Sequence, residues 1–443
     1  MKVAKLVLKN FRRFEDSIVD FQDDKNTTVF IGNNGAGKTA ILDALVLNLS
    51  WLIARIGREK GKGKNIDDSD ILNGTSSSIV DLCLNYNEST FHLCVTSTRK
   101  GHSRQKIENQ STEVSKLAEI FRQKLTEDSA NASLPLIVYY PVNRVVVDVP
   151  LKIRTRHNFE QIDGYDNALQ QGADFRRFFE WFRYREDIEN ELITDQYEQI
   201  FIEITENKLI PDWDEIKRTA SITKDRQLNA VRNAIKLLIT EFDNLRVERK
   251  PRLRMVVNKN GHKLDVGQLS QGEKSLMSLV GDIARRLAMM NPALDNPLDG
   301  EGIVLIDEVD MHLHPTWQRS VIANLNKTFP NCQFILTTHS PIVISEMPNL
   351  LVYALDDGVI SKSNNLYGMD VNDVLLSEMH TVIRNEEIQS DLDFVLNSLQ
   401  EGEIENAKLR CIELGKKIAI DNSELNRMQL LIKRLEFQLA KNN

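Results

Sequence analysis

The chain has 443 residues, a formal net charge of −8 and four cysteines. Its length exceeds a usual single domain and leaves room for a substantial core, while the acidic balance excludes a protein that coats nucleic acid with its whole surface. Cys83, Cys94, Cys332 and Cys411 show no paired metal-ligand spacing, and the apolar settings of the first three read as reduced core thiols of a cytoplasmic protein.

The opening "MKVAKLVLKNF" has a two-residue apolar rhythm and reads as a strand, not a signal segment. Short strands are predicted at 3 to 9, 27 to 31, 79 to 86 and 91 to 97, with a mobile Gly-, Lys- and Asp-rich loop at 57 to 77. The longest apolar run, "ILDALVLNLSWLIARI", is interrupted by Asp43 and Asn48 and is too short to span a bilayer, so no membrane partner is expected. "LPLIVYYPVNRVVV", 134 to 147, reads as a buried strand, and 160 to about 245 as an inserted helical unit. Split between two antiparallel helices, about 85 residues reach only on the order of 60 Å, a short arm or lid.

Strand character returns at "RLRMVVNKNGHKLDV", where Asn260-Gly261 suits a two-residue hairpin turn. A helix to about Met290 follows, then two short apolar strands within "GIVLIDEVDMHLHP" and "QFILTTHSP", of the kind buried in a sheet covered on both faces. After Tyr367 the chain is again helical. In the last helix Leu425, Met428, Ile432, Leu435 and Leu439 form an apolar face that either packs on its own domain or binds a partner. The expected divisions are 1–158, 159–248, 249–362 and 363–443.

"FIGNNGAGKTAILDAL" carries the chemistry. Gly32, Gly37, Lys38 and Thr39 satisfy G-x-x-x-x-G-K-[ST] between a predicted strand and helix. Glycines at 32, 35 and 37 let backbone N–H groups of Asn33, Asn34, Gly35 and Ala36 turn inward, and the helix adds its positive end. Lys38 would neutralise the β- and γ-phosphates of ATP, and Thr39 would offer its hydroxyl to Mg²⁺. Asp307 and Glu308 stand together at the mouth of a buried strand. Asp307 would orient Mg²⁺ and Glu308 would polarise the attacking water. His339 ends the next strand, within reach of a γ-phosphate. His312 and His314, two apart and with no nearby Cys or helical H-E-x-x-H pattern, do not read as a zinc site.

These stretches together resemble the ATP-binding cassette ATPases, and among them the soluble branch of Rad50, structural-maintenance and RecF-like proteins. "GNNGAGKT" resembles Walker A, "LSQGE" the signature motif, "IVLIDE" Walker B, "VDMHLHP" with Asp310 the D-loop, and "TTHSP" the switch histidine. The resemblance implies an α/β ATPase head, a P-loop mixed sheet with helices, bearing an inserted helical arm and a helical C-terminal region. It implies an arginine near Arg12 or Arg13 at the nucleotide. It also implies two protomers sandwiching two ATP molecules, so that Ser270, Gln271, Gly272 and Glu273 complete the site of the other copy. The Q-loop glutamine has no clear counterpart; Asn143 is the nearest candidate.

"DEVDMHLHPTWQRSVIANLNKTFPNCQFILTTHSP" and three tail segments are similar to PtuA-type ATPases of Septu anti-phage systems and their retron relatives. That likeness implies a sensor and scaffold, an ATP-bound homodimer that can assemble further, for a separate HNH nuclease like PtuB. The alternative is a RecF-like ATPase that clamps DNA, with basic stretches 57–65, 98–106, 152–157 and 246–254 as its track; each stretch alone reads as a solvated face. A Toprim-type nuclease is not expected, because the tail lacks strands ending in Glu and Asp-x-Asp.

Overall fold

The computed structural model describes all residues except 23, 103–110, 129–130, 143–158, 171, 208–223, 364–365, 380–383, 419–421 and 443. It divides into two compact units, Met1–Asp370 and Val371–Asn443.

In the first unit the chain opens with β1 (Lys2–Phe11), β2 (Phe14–Asp20) and β3 (Thr27–Gly32). A register shift between Val3 and Lys5 lets Val3 and Leu6, three residues apart, both point into the core. Then come α1 (Lys38–Gly57), the hairpin β4 (Ser77–Tyr86) and β5 (Ser89–Thr98), α2 (Ser111–Glu127) and β6 (Leu136–Tyr140). Two helices, α3 (Phe175–Asn207) and α4 (Arg226–Leu238), precede β7 (Phe242–Glu248), β8 (Arg254–Lys259) and β9 (His262–Asp265). The buried α5 (Gln271–Met290) leads to β10 (Gly302–Ile306), α6 (Pro315–Thr328), β11 (Cys332–Thr337), α7 (Pro341–Ser345), β12 (Leu351–Asp356) and β13 (Val359–Lys362).

The strands form three sheets. The central one runs β13-β12-β3-β11-β10-β6, all parallel but for β13, which pairs antiparallel with β12 and makes the sheet mixed. β3, β6, β10 and β11 are buried at every residue, which is why they read as unbroken apolar runs. An antiparallel sheet, β2-β1-β4-β5, joins them through Gln333, whose side chain accepts from Val3 N at 2.7 Å and donates to Val3 O at 3.0 Å. β7-β8-β9 form the third. Among the described residues α1 is the one helix long and apolar enough to cross a membrane. It packs against β3, β6 and β11, with Ile41, Leu42, Leu45 and Leu49 fully buried.

Several expectations change. The helical reading to about residue 245 ends early, because Phe242 to Glu248 pair with β8. The strand expected over 134–147 ends at Tyr140, and 143–147 lie outside the described residues. Stretch 57–77 is tied down: Trp51 donates to Lys64 O at 2.7 Å, Lys64 N donates to Ser50 Oγ at 2.7 Å, and Ile66 and Ile71 are buried. The two-helix arm cannot be followed whole, because 208–223 lie outside the described residues. Phe175, Phe178, Phe179, Trp181 and Phe182 of α3 are core, α4 packs on α5 and α6, and beyond Glu189 the described part of α3 has no buried residue. Cys94 is half-buried rather than a core thiol.

The second unit holds α8 (Val371–Ser377), α9 (Glu386–Gln400), α10 (Ile404–Lys417) and α11 (Ser423–Asn442). Leu425, Met428 and Ile432 of the terminal helix pack with Leu392, Val395, Ala407, Cys411 and Leu414 in its core. This part of the apolar face is therefore used within its own unit, while the Leu439 side chain lies outside the described residues.

Candidate active site

The parallel register brings the carboxyl ends of β3, β11 and β10 side by side, the usual place for a ligand in such a sheet. The 32–37 turn leaves β3 there. Gly32, Gly35 and Gly37 have φ of 145°, 80° and 108°, which residues with a Cβ rarely adopt. A Cβ at Gly32 would stand 2.4 Å from Leu355 O, so that position admits glycine on contact as well as conformation. Asn33, Asn34, Gly35 and Thr39 are exposed, whereas Ala36 and Lys38 are buried. Helix α1 begins with no side-chain cap and no acidic residue in its first turn, which leaves its positive end available to an anion.

Lys38 Nζ donates to Gly32 O at 2.8 Å and to Asn33 O at 3.1 Å. Burial pushes its ammonium below the ordinary value, against the opposing pull of Glu308, Asp307 and Asp310. Thr39 Oγ1 donates to Asp307 Oδ2 at 2.8 Å. Asp307 is almost wholly buried; its backbone N–H donates to Tyr140 O at 2.9 Å, and its Oδ1 accepts from Thr337 Oγ1. Thr337 Oγ1 also accepts from Glu308 N at 2.8 Å. Glu308 has φ of 48°, a left-handed conformation that a strand end holds only where its neighbours fix it. His339 Nε2 lies 3.8 Å from Glu308 Oε1. Burial and then Lys38 push the His339 imidazole below its ordinary value, while Glu308, Asp310 and Asp307 pull the other way.

Asp310 accepts from Thr338 Oγ1, and Ser340 N donates to that hydroxyl at 2.9 Å. Ser340 Oγ in turn donates to Gln318 Oε1 at 2.9 Å. Sequence reasoning singled out His339 and passed over Thr337, Thr338 and Gln318. The available signal was two hydroxyls closing an otherwise apolar strand, in the same "TTHSP" that carries the histidine.

The arginines separate. Arg12 donates to Asp43 at 2.7 Å and Asp70 at 2.9 Å, a pairing of the β1–β2 turn with α1 and the 68–70 turn. Arg13 runs past the loop instead, its Cδ 3.0 Å from where a Gly37 Cβ would stand and its guanidinium donating to the exposed Asp357 at 3.4 Å. Asn143 and the basic stretch 152–157 lie outside the described residues.

At the start of α5, Ser270 and Glu273 form a reciprocal cap: Ser270 N donates to Glu273 Oε2 at 2.8 Å and Glu273 N to Ser270 Oγ at 3.3 Å. Lys259 pairs with Glu273 at 2.6 Å. Ser270 and Gln271 are exposed at the tip of a helix whose residues from Ser275 to Met290 are all buried. Further along, Asp282 accepts from Arg285 at 2.6 Å, Arg286 at 2.7 Å and Tyr140 Oη at 2.9 Å, all four groups buried. Burial pushes the Asp282 carboxyl up, but the two guanidiniums outweigh it and hold it below the usual range. Nothing in local sequence pattern announces this network, since Tyr140 and Asp282 are 142 residues apart.

Comparison with known proteins agrees with this geometry. The sequence model of the AAA ATPase domain matches residues 1–344. The chain is 34% identical over 404 residues to the retron Vc95 probable ATPase of Vibrio cholerae serotype O1 biovar El Tor, covering 85% of this chain and 78% of that protein. It is 33% identical over 396 residues to the retron Ec83 probable ATPase of Escherichia coli, covering 81% and 72%. To the Septu protein PtuA of Bacillus thuringiensis it is 26% identical over 211 residues, 46% of each chain. With a glycine-rich turn after β3 and the carboxylates of Asp307 and Glu308 after β10, the chain belongs to the AAA ATPase domain family and is an ABC-type ATPase resembling the retron ATPases and PtuA.

Proposed function

We propose that this ATPase is a cytoplasmic subunit of an anti-phage defence complex, closing head to tail on a second copy around ATP and regulating or scaffolding a separate HNH nuclease similar to PtuB. The dimer reading is supported above all by the exposure of Ser270 and Gln271 at the tip of a buried helix. Although Glu273 caps this tip, its charge is met by Lys259, and the exposed Ser270 hydroxyl and the first N–H groups of the helix are the donors offered to an anion, as one half of a site. The phosphate loop, with Asn33, Asn34, Gly35 and Thr39 also exposed, is the other half. The defence reading is supported by the likeness to the retron ATPases and PtuA.

Within one site, the backbone N–H groups of 33 to 37 and the Lys38 ammonium hold the β- and γ-phosphates, and Arg13 borders them. Thr39 and Asp307, a hydroxyl and a carboxylate 2.8 Å apart, are hard oxygen donors that suit Mg²⁺. Bound there, Mg²⁺ would neutralise charge on the phosphate oxygens. Glu308 accepts a proton from the attacking water, and neutral His339 offers a hydrogen bond to the γ-phosphate. Ser270, Gln271, Gly272 and Glu273 of the other copy close the far side of that phosphate, and Asp310 borders the seam.

The DNA-clamp reading fares less well because, among the described residues, the arginines of 246–254 and Arg99 are already engaged. Arg246, Arg254 and Lys263 converge on Glu248, and Arg249 pairs with Glu186 and Asp187. Arg99 donates to Ile71 O at 2.8 Å and Thr75 O at 3.0 Å. Cations so engaged have little left for phosphates.

The test is purification from the native locus with the neighbouring gene products, wild type beside Glu308→Gln, in ATP and Mg²⁺. Co-purification of a small HNH protein on which DNA cleavage depends is the expected result. A lone chain that dimerises with ATP and grips duplex DNA would replace the defence reading with the clamp.

A further inference from the structure

Away from the nucleotide, the β4–β5 hairpin assembles a group of side chains that the ATPase reading does not use. Its register sets Cys83 opposite His92 and Asp81 opposite Cys94. All four project from one face, because they occupy alternate positions of paired strands. The opposite face carries Leu82, Leu84, Leu93 and Val95, which are core. Cys83 Sγ is 3.3 Å from His92 Nδ1, and that nitrogen is 3.9 Å from Asp81 Oδ2. The three donor atoms lie within 4.8 Å of one another. Glu113, in the first turn of α2, accepts from His92 N at 2.5 Å and fixes that strand position.

An independent observation points to a ligand. The other oxygen of the same carboxylate, Asp81 Oδ1, is buried and has no hydrogen-bond partner, although a carboxylate oxygen withdrawn from water without one is costly. Ligands held at 2.0–2.3 Å from a tetrahedral ion stand on the order of 3.3–3.8 Å from each other. The thiol–imidazole and imidazole–carboxylate spacings of 3.3 and 3.9 Å are close to that already.

We propose that Asp81, Cys83 and His92 bind one zinc-class divalent cation, with solvent in the fourth position, and so clip the two strands of the β4–β5 hairpin together. A thiolate and an imidazole select a late first-row ion over Mg²⁺ or Ca²⁺, which prefer all-oxygen shells. Solvent has access, since the side chains of His92 and Asp81 are 43% and 30% exposed. The sequence pattern is D-x-C on one strand and H on the next. It gives no paired spacing along the chain, and only the hairpin register brings the donors together.

The full chain, stripped with a chelator, is titrated with Co²⁺ and then Zn²⁺. One equivalent of Co²⁺ should give a thiolate-to-metal charge-transfer band that Zn²⁺ bleaches. Cys83→Ser should abolish the band, and His92→Gln should weaken binding by roughly a hundredfold; Cys411→Ser should change neither. Should a variant fail to fold, alkylation of the wild type decides: Zn²⁺ must protect Cys83, and chelation must expose it. Absence of the band in the folded wild type, or its survival in Cys83→Ser, overturns the site and leaves a plain thiol–imidazole hydrogen bond.

Discussion

Gly272, in the first turn of α5, packs directly on the backbone of His312, whose carbonyl oxygen would stand 2.5 Å from a Cβ at position 272. His312 itself holds φ of 63°. The turn that opens α5 and the loop that follows the two carboxylates therefore touch with no room for a side chain between them, forty residues apart in sequence.

Gly272→Ala should displace that contact, because a backbone carbonyl cannot swing aside as a side chain would. The expected loss is about 1–3 kcal/mol of stability, read as a lower urea midpoint, with faster amide exchange at 310–313. Unchanged exchange in that loop would show that the contact transmits nothing.

Glu308→Gln keeps the size of the side chain and removes its basicity. Hydrolysis should fall by roughly 100- to 10,000-fold while nucleotide affinity changes little. A variant that hydrolyses ATP at the wild-type rate would assign water activation to another group.

Arg12 and Arg13 should behave differently despite adjacency. Arg12→Ala breaks two half-exposed ion pairs and should cost about 1 kcal/mol of stability. Arg13→Ala should leave stability unchanged and weaken ATP binding several-fold, on the order of 1 kcal/mol. Titration of both variants with a fluorescent ATP analogue distinguishes them, and equal affinities would remove Arg13 from the site.

His339 has a folded pKa below its ordinary 6.5. As pH falls, the unfolded chain takes up the proton first, so stability drops between 6.5 and the folded value and levels off beneath it. Urea midpoints measured from about pH 7 to about pH 5 should fall less in His339→Gln than in the wild type. Parallel curves would contradict a neutral imidazole in the nucleotide-free protein.

Asp282→Asn leaves two buried guanidiniums without a counter-charge and should cost about 3–5 kcal/mol. Tyr140→Phe removes one hydrogen bond and should cost about 0.5–1.5 kcal/mol. Denaturant unfolding gives both, and a mild Asp282→Asn would mean that water reaches the network.

What lay in the sequence was local. A glycine-spaced turn between strand and helix, an apolar run ending in two acids, and a serine three residues before a glutamate each report their own backbone. Such patterns arise from conformational freedom, burial and capping over a few residues, and they were enough for the ATPase family and the mixed α/β head. The β12–β13 hairpin was missed because its short strands carry too little periodicity, whereas α2 was legible and passed over: Val114, Leu117, Ala118 and Phe121 recur at helical spacing and are buried.

Only the tertiary structure decided which groups meet. It joined Thr39 to Asp307 across 268 residues, set Arg13 rather than Arg12 beside the loop, and gave the arginines of 246–254 carboxylate partners. It also turned Asp81, Cys83 and His92 into a cluster. Each depends on strand register and on helices packed from distant parts of the chain. One-dimensional spacing cannot encode such a meeting, because the same pattern pairs differently when the register shifts by a single residue.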